Sequence, residues 1–234
     1  VVVRVAGVWF VLETRSDLHG LEGGIAFEDE EGVDGTLIAD DPIGGVWLML
    51  WKGAGVAFLA TYAAFRGRGT DGLLIAAVML FGALGDVALE ISYVVGGGLF
   101  AVGHLIAIAL YLRNRRERTS SSQLMAALAL LILTPLIAAL MTFPLDNWIL
   151  AAAYSGVVGA MAATAWLSRF PRYRVGLGAV LFVVSDLFIF SREAGVLPES
   201  ITSWLIWPLY FGGQFLIATG VVQTLRGKSF TQRG

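Results

Sequence analysis

From Gly45 onward the chain is a succession of apolar runs, each separated from the next by a few polar residues. A transmembrane helix needs about 20 mostly apolar residues, within a range of about 17–25. Runs near that length are Gly45–Phe65, Thr70–Tyr93, Gly97–Leu112, Leu124–Phe143, Trp148–Ser168, Val175–Phe190 and Ile201–Leu225. Val1–Leu12 is apolar with one Arg and is read as the remainder of a first span, in preference to a signal-peptide remnant. The expected fold is all-α: a polytopic membrane protein of about eight transmembrane helices, forming a single domain over residues 1–234. The runs are too long and too uniformly apolar for the period-two alternation of an outer-membrane barrel. Composition agrees, with 15% charged residues where a soluble domain carries about 25%.

Charge sets the orientation. Thirteen basic residues, among them Arg66, Arg68, Arg113, Arg169, Arg172, Arg174 and Arg226, fall on one side of this eight-helix arrangement. Only Arg15 and Arg192 fall on the other, and Lys52 lies within a span. Positive residues stay inside, so both termini are expected in the cytoplasm and the protein in a bacterial cytoplasmic membrane. The segment Glu13–Gly44 holds ten of the eighteen acids and is read as a solvated extracytoplasmic loop. It lacks the spacing of a calcium loop. The chain has no cysteine and two histidines, which argues against thiolate chemistry and a His-rich metal cluster. No metal or other cofactor is expected, and no nucleic-acid partner.

Two aspartates interrupt the apolar runs, each after a small residue: Gly85-Asp86 and Ser185-Asp186. A carboxylate at the centre of a membrane helix costs about 2.5–3.5 kcal/mol even on lenient scales. Intramembrane acids normally face a protein interior and serve a function. Desolvation favours the neutral carboxyl, so such a group can hold and deliver a proton.

The two acidic helices belong to a wider internal likeness. Phe100-Ala101-Val102-Gly103-His104 aligns with Tyr210-Phe211-Gly212-Gly213-Gln214 in the helices that follow. Both halves then read small-Asp, a loop, and aromatic-x-x-Gly-polar, which suggests a 4+4 duplication. Counted from the outer ends of their runs, Lys52, Asp86 and His104 lie about 7 residues in, Asp186 about 4, and Tyr210 and Gln214 about 9 and 13. At about 1.5 Å per residue, most of these groups share one layer in the outer half. Glu90 is one turn from Asp86 and nearer the surface.

Gly178–Leu187, which contains Ser185-Asp186-Leu187, and Tyr210–Ala218 resemble the YhhN-like membrane proteins, a family that includes the lysoplasmalogenases. Leu84–Asp86, Phe100–Leu105 and Lys52 fit the first half of the pattern, and the resemblance covers about residues 46–224. The chain departs from the pattern at Gly53, where the family often has Pro, and at Ala107, where it often has Tyr. Its acidic loop is also longer. The resemblance implies eight helices and hydrolysis of the vinyl ether bond of a lysoplasmalogen, a membrane lipid substrate.

That reaction protonates a carbon, forms an oxocarbenium ion and adds water. Asp86 and Asp186 are the expected catalytic pair, one as acid and one as carboxylate, as in glycosidases. Lys52 is a candidate for the phosphate or for tuning an aspartate. His104, Tyr210 and Gln214 are candidates for orienting water or the substrate hydroxyl, with Ser185 and Glu90 in support. The rival reading is a small proton-coupled transporter built on the same repeated acids.

Overall fold

The computed structural model describes the backbone of residues 2–5, 8–11, 26–28, 35–36 and 46–231, and the side chains of residues 53–227. The chain divides into two compact units, Val1–Leu48 and Met49–Gly234.

The smaller unit holds a four-stranded antiparallel sheet of order β1-β2-β3-β4, with β1 Val2–Val5, β2 Val8–Val11, β3 Ala26–Glu28 and β4 Gly35–Thr36. The partial helix expected over Val1–Leu12 is therefore not formed. Val5 pairs with Val8 and Val2 with Val11. The stretch is rich in valine, with Trp9 and Phe10, and such residues favour extended backbone. It is also too short to span a bilayer as a helix. The eighth helix and the cytoplasmic N-terminus both depended on it. The acidic segment 13–44 contributes β3 and β4, and its other residues lie outside those described.

The larger unit is all-α. Its helices are α1 Val46–Arg66, α2 Gly69–Leu89, α3 Tyr93–Arg113, α4 Ser121–Thr142, α5 Trp148–Leu167, α6 Leu177–Glu193 and α7 Glu199–Thr231. A π-helical turn, Arg172–Gly176, leads into α6. Each of the seven runs from Gly45 onward yields one of these helices. Among the described residues six segments are long and apolar enough to cross a membrane, as an integral membrane protein requires: α2 to α5, the π-helical turn together with α6, and α7. Outward-facing residues are apolar, as hydrocarbon demands: Met125 and Leu140 on α4 are each 70% exposed.

Helices neighbouring in sequence pack as hairpins: α2 with α3, α4 with α5, α6 with α7. Small residues let the backbones approach. A Cβ on Gly178 would lie 2.7 Å from the Gly213 carbonyl oxygen, and a Cβ on Gly213 would lie 2.7 Å from that of Gly178. Without hydrophobic drive between helices in lipid, such close contact supplies the association. Helix α2 ends at Leu89 rather than continuing to Tyr93, because Ser92 caps α3 by accepting a bond from the Val95 amide. Gly195, at φ 65°, makes the turn between α6 and α7 in a conformation that side chains disfavour.

The Arg-rich ends are tied together at one level. Asp71 at the start of α2 accepts bonds from Arg113 (3.3 Å) and Asn114 (2.9 Å) at the end of α3. Arg169 in the α5–α6 connection lies 3.7 Å from the same carboxylate. Arg116 donates to the Ser168 carbonyl. This network closes the end of the bundle away from the two intramembrane aspartates.

Candidate active site

The Tyr210 hydroxyl on α7 donates to Asp86 Oδ2 on α2 at 2.8 Å. Asp86 is half-buried and stands three residues before Leu89, the last residue of α2. Tyr210 lies much further along α7, whose first turn therefore sits further out.

Asp186 on α6 is 7% exposed, and its Oδ2 is buried without a hydrogen-bond partner among the described residues. The Tyr154 hydroxyl on α5 faces this carboxyl, and the Tyr210 hydroxyl is within its electrostatic reach. Tyr154 is also 3.5 Å from His104 Nε2 on α3. The two aspartates thus look towards one set of hydroxyls from α2 and α6, with α3, α5 and α7 completing the wall.

Aromatic rings hold this arrangement. Phe182 packs edge-on against His104 at 4.7 Å and against Tyr210 at 5.3 Å between ring centres. Phe100 meets Tyr210 at 5.9 Å and Phe182 at 6.2 Å. Gly85, the small residue before Asp86, makes room for Phe100: a Cβ there would lie 2.7 Å from the ring. The matching small residue, Ser185, is fully buried and donates to the Ile206 carbonyl of α7 at 2.9 Å. That bond ties α6 to α7 beside Asp186.

One helical turn below the aspartates lies a cavity of about 10 Å³, close to the room that one water needs. His104, Gln214, Gly82, Phe100 and Phe182 are among its lining residues. Gly82 and Phe182 each precede an aspartate by four residues, so the cavity lies on their helical faces. A Cβ at Gly82 would stand 3.0 Å from Gln214 Nε2 and 3.7 Å from the Tyr210 hydroxyl. The missing side chain at Gly82 is what lets the amide and the phenol reach this level.

Of the expected residues, Asp86, Asp186, His104, Tyr210 and Gln214 therefore come together. Glu90 caps the end of α2 and is exposed. Lys52 lies on α1, and its side chain is outside those described. Among the described residues no three His, Asp or Glu side chains gather as metal ligands would.

The YhhN family model matches residues 47–221. The chain belongs to the YhhN family. None of the curated proteins and none of the solved structures compared with the chain matches it. The YhhN region contains every residue of the cluster, and it begins after the four strands. Within it, sequence reasoning passed over Tyr154, Phe182 and Gly82. The Tyr154-Ser155 pair in an otherwise Ala- and Gly-rich run was the available signal for the first. Phe182 is one of many apolar residues in its run, and nothing in its local sequence marks it.

Proposed function

We propose that this YhhN protein hydrolyses the vinyl ether bond of a lysoplasmalogen-type lysophospholipid within the membrane. The observation that carries the proposal is the pairing of one hydrogen-bonded aspartate, Asp86, with one buried aspartate oxygen, Asp186 Oδ2, that has no partner among the described residues. Family membership adds support, because lysoplasmalogenases belong to the YhhN family.

In the proposed reaction Asp186 delivers a proton to the vinyl carbon distal to the ether oxygen. Tyr154 faces the Asp186 carboxyl, but its Oδ2 accepts no bond among the described residues, so that oxygen is suited to carry the proton given to substrate. The adjacent carbon becomes an oxocarbenium centre. Asp86, fixed as an acceptor by Tyr210, steadies that cation and takes a proton from the attacking water. The hemiacetal then collapses to a fatty aldehyde and a glycerophospho-alcohol, so one water is consumed per bond cleaved. His104 and Gln214 border the cavity beneath the aspartates and are suited to orient the water. Lys52 is assigned to the substrate phosphate on chemical grounds alone.

We also read the α2–α3 and α6–α7 hairpins as two copies of one unit. Asp86 and Asp186 hold matching places in them, as do Phe100 and Tyr210, Gly103 and Gly213, and His104 and Gln214. The Arg-bearing ends and the C-terminus of α7 are placed in the cytoplasm by the positive-inside rule. The cluster then lies in the outer half of the membrane.

Fatty aldehyde release from a lysoplasmalogen by the purified protein tests this reading. No release, together with proton-driven solute uptake in proteoliposomes, would replace it with the transporter reading.

A further inference from the structure

We infer that the protein carries a second lipid site, for an anionic glycerophospholipid of the leaflet at the Arg-rich end, formed by Arg172, Trp166 and a groove between α4 and α6. The site lies apart from the aspartates and does not rest on the hydrolase reading.

Three donors meet there with nothing to accept them. Arg172 Nε, Arg172 Nη2 and Trp166 Nε1 are all buried and have no hydrogen-bond partner among the described residues. The Arg172 guanidinium carbon lies 5.7 Å from the centre of the Trp166 ring. Gly176 permits this stacking: a Cβ there would lie 2.9 Å from the Trp166 ring and 3.2 Å from Arg172 Cγ. Arg172 opens the π-helical turn before α6, a form of helix often found at functional sites. Buried donors of this kind are costly unless paired, and a planar guanidinium suits phosphate oxygens.

Trp166 is also one wall of an apolar groove of about 350 Å³. Along α4 the groove runs from Ala126 to Ile137, and along α6 from Val180 to Leu187. At about 1.5 Å per residue, the α4 edge spans roughly 16 Å, about half of a 30 Å hydrocarbon core. The groove is thus one leaflet deep. Its surroundings are hydrocarbon, so an aliphatic chain is its natural occupant. Its donor-bearing end lies at the level of Arg113, Arg169 and Arg174, the side that faces anionic lipid headgroups. A phosphate on Arg172 and Trp166 with one acyl chain along α4 and α6 satisfies both halves of the site.

The test is native mass spectrometry of the full-length protein in detergent, titrated with phosphatidylglycerol or with phosphatidylcholine of the same chains. Phosphatidylglycerol should be retained at least about tenfold more tightly, and Arg172→Gln should weaken it by about tenfold, the usual weight of a charged hydrogen bond. Val184→Trp, which fills the groove, should weaken it to a similar degree. Should either variant fail to fold, Trp166→Phe keeps the ring and removes one donor, with a severalfold loss expected. Equal retention of the two lipids would overturn the site, as would wild-type binding by the folded variants. Full displacement of phosphatidylglycerol by inorganic phosphate would make it a free-anion site and overturn the lipid assignment. A dimer abolished by Val184→Trp, with lipid binding unchanged, would assign the groove to a second copy instead.

Discussion

Tyr210 and Asp86 join the last helix of the bundle to the second through one hydrogen bond of 2.8 Å. The bond links residues 124 apart in sequence and fixes one of the two intramembrane acids as an acceptor. The Tyr210 ring packs against Phe100 and Phe182, so the phenol is held independently of its hydroxyl. Tyr210→Phe should therefore keep the fold, cost about 1–3 kcal/mol of stability and lower aldehyde release by about tenfold. Thermal unfolding and turnover on the same sample separate the two effects.

Replacing either acid by its amide removes proton transfer while preserving shape. Asp86→Asn and Asp186→Asn should each reduce hydrolysis by about 100-fold or more, the usual weight of one acid–base group. Both variants should remain monodisperse and helical. Near-normal aldehyde release by both would refute the acid pair.

Tyr154 bridges the His104 imidazole and the Asp186 carboxyl from α5. Tyr154→Phe should retain the edge-on ring contacts with His104 and Phe190 and lose only the hydroxyl. The expected result is turnover reduced by about tenfold or more, with KM changed less, since the hydroxyl acts on catalytic groups. Steady-state kinetics distinguish that outcome from a rise in KM alone.

At Gly82, a new methyl would press on the Gln214 amide, the far end of a flexible side chain. Gly82→Ala should leave unfolding within about 1 kcal/mol of wild type but disturb turnover. Because the two residues are in contact, Gly82→Ala and Gln214→Ala should be non-additive when combined. Independent, additive losses in a double-mutant cycle would separate Gly82 from Gln214.

By contrast, the Gly178–Gly213 crossing brings backbone against backbone, and no flexible atom can yield. Gly213→Val should cost about 1–3 kcal/mol or more. Denaturation in detergent would measure it, and unchanged stability would mean that α6 and α7 do not meet this closely.

Seven helices were legible because hydrophobic length is local: each run from Gly45 onward carries enough apolar residues to form one, and six of the resulting segments are candidate spans among the described residues. Val1–Leu12 misled for the complementary reason. Its apolarity resembled a span, but its valines favour strands, and periodicity cannot separate the two in so short a run. Asp86, Asp186, His104, Tyr210 and Gln214 stood out because polar groups are rare in such sequence. Ser185 stood out equally, and its hydroxyl donates to the Ile206 carbonyl.

Chain composition alone decided that this protein spans a membrane, since the cost of exposing peptide groups to lipid leaves a run of such residues little choice but helix. It also decided where the expensive acids lie along the chain. Only the packing of α2, α3, α5, α6 and α7 decided which polar groups meet. Helix rotation and relative height depend on contacts such as Gly85 with Phe100 and Gly178 with Gly213, and those distances are not written in any one run. Tyr210 reached Asp86, and Tyr154 came to face Asp186, through that packing. Trp166 and Arg172 were likewise left with unanswered donors by a tertiary arrangement, where the π-helical turn and Gly176 bring two ordinary-looking residues together.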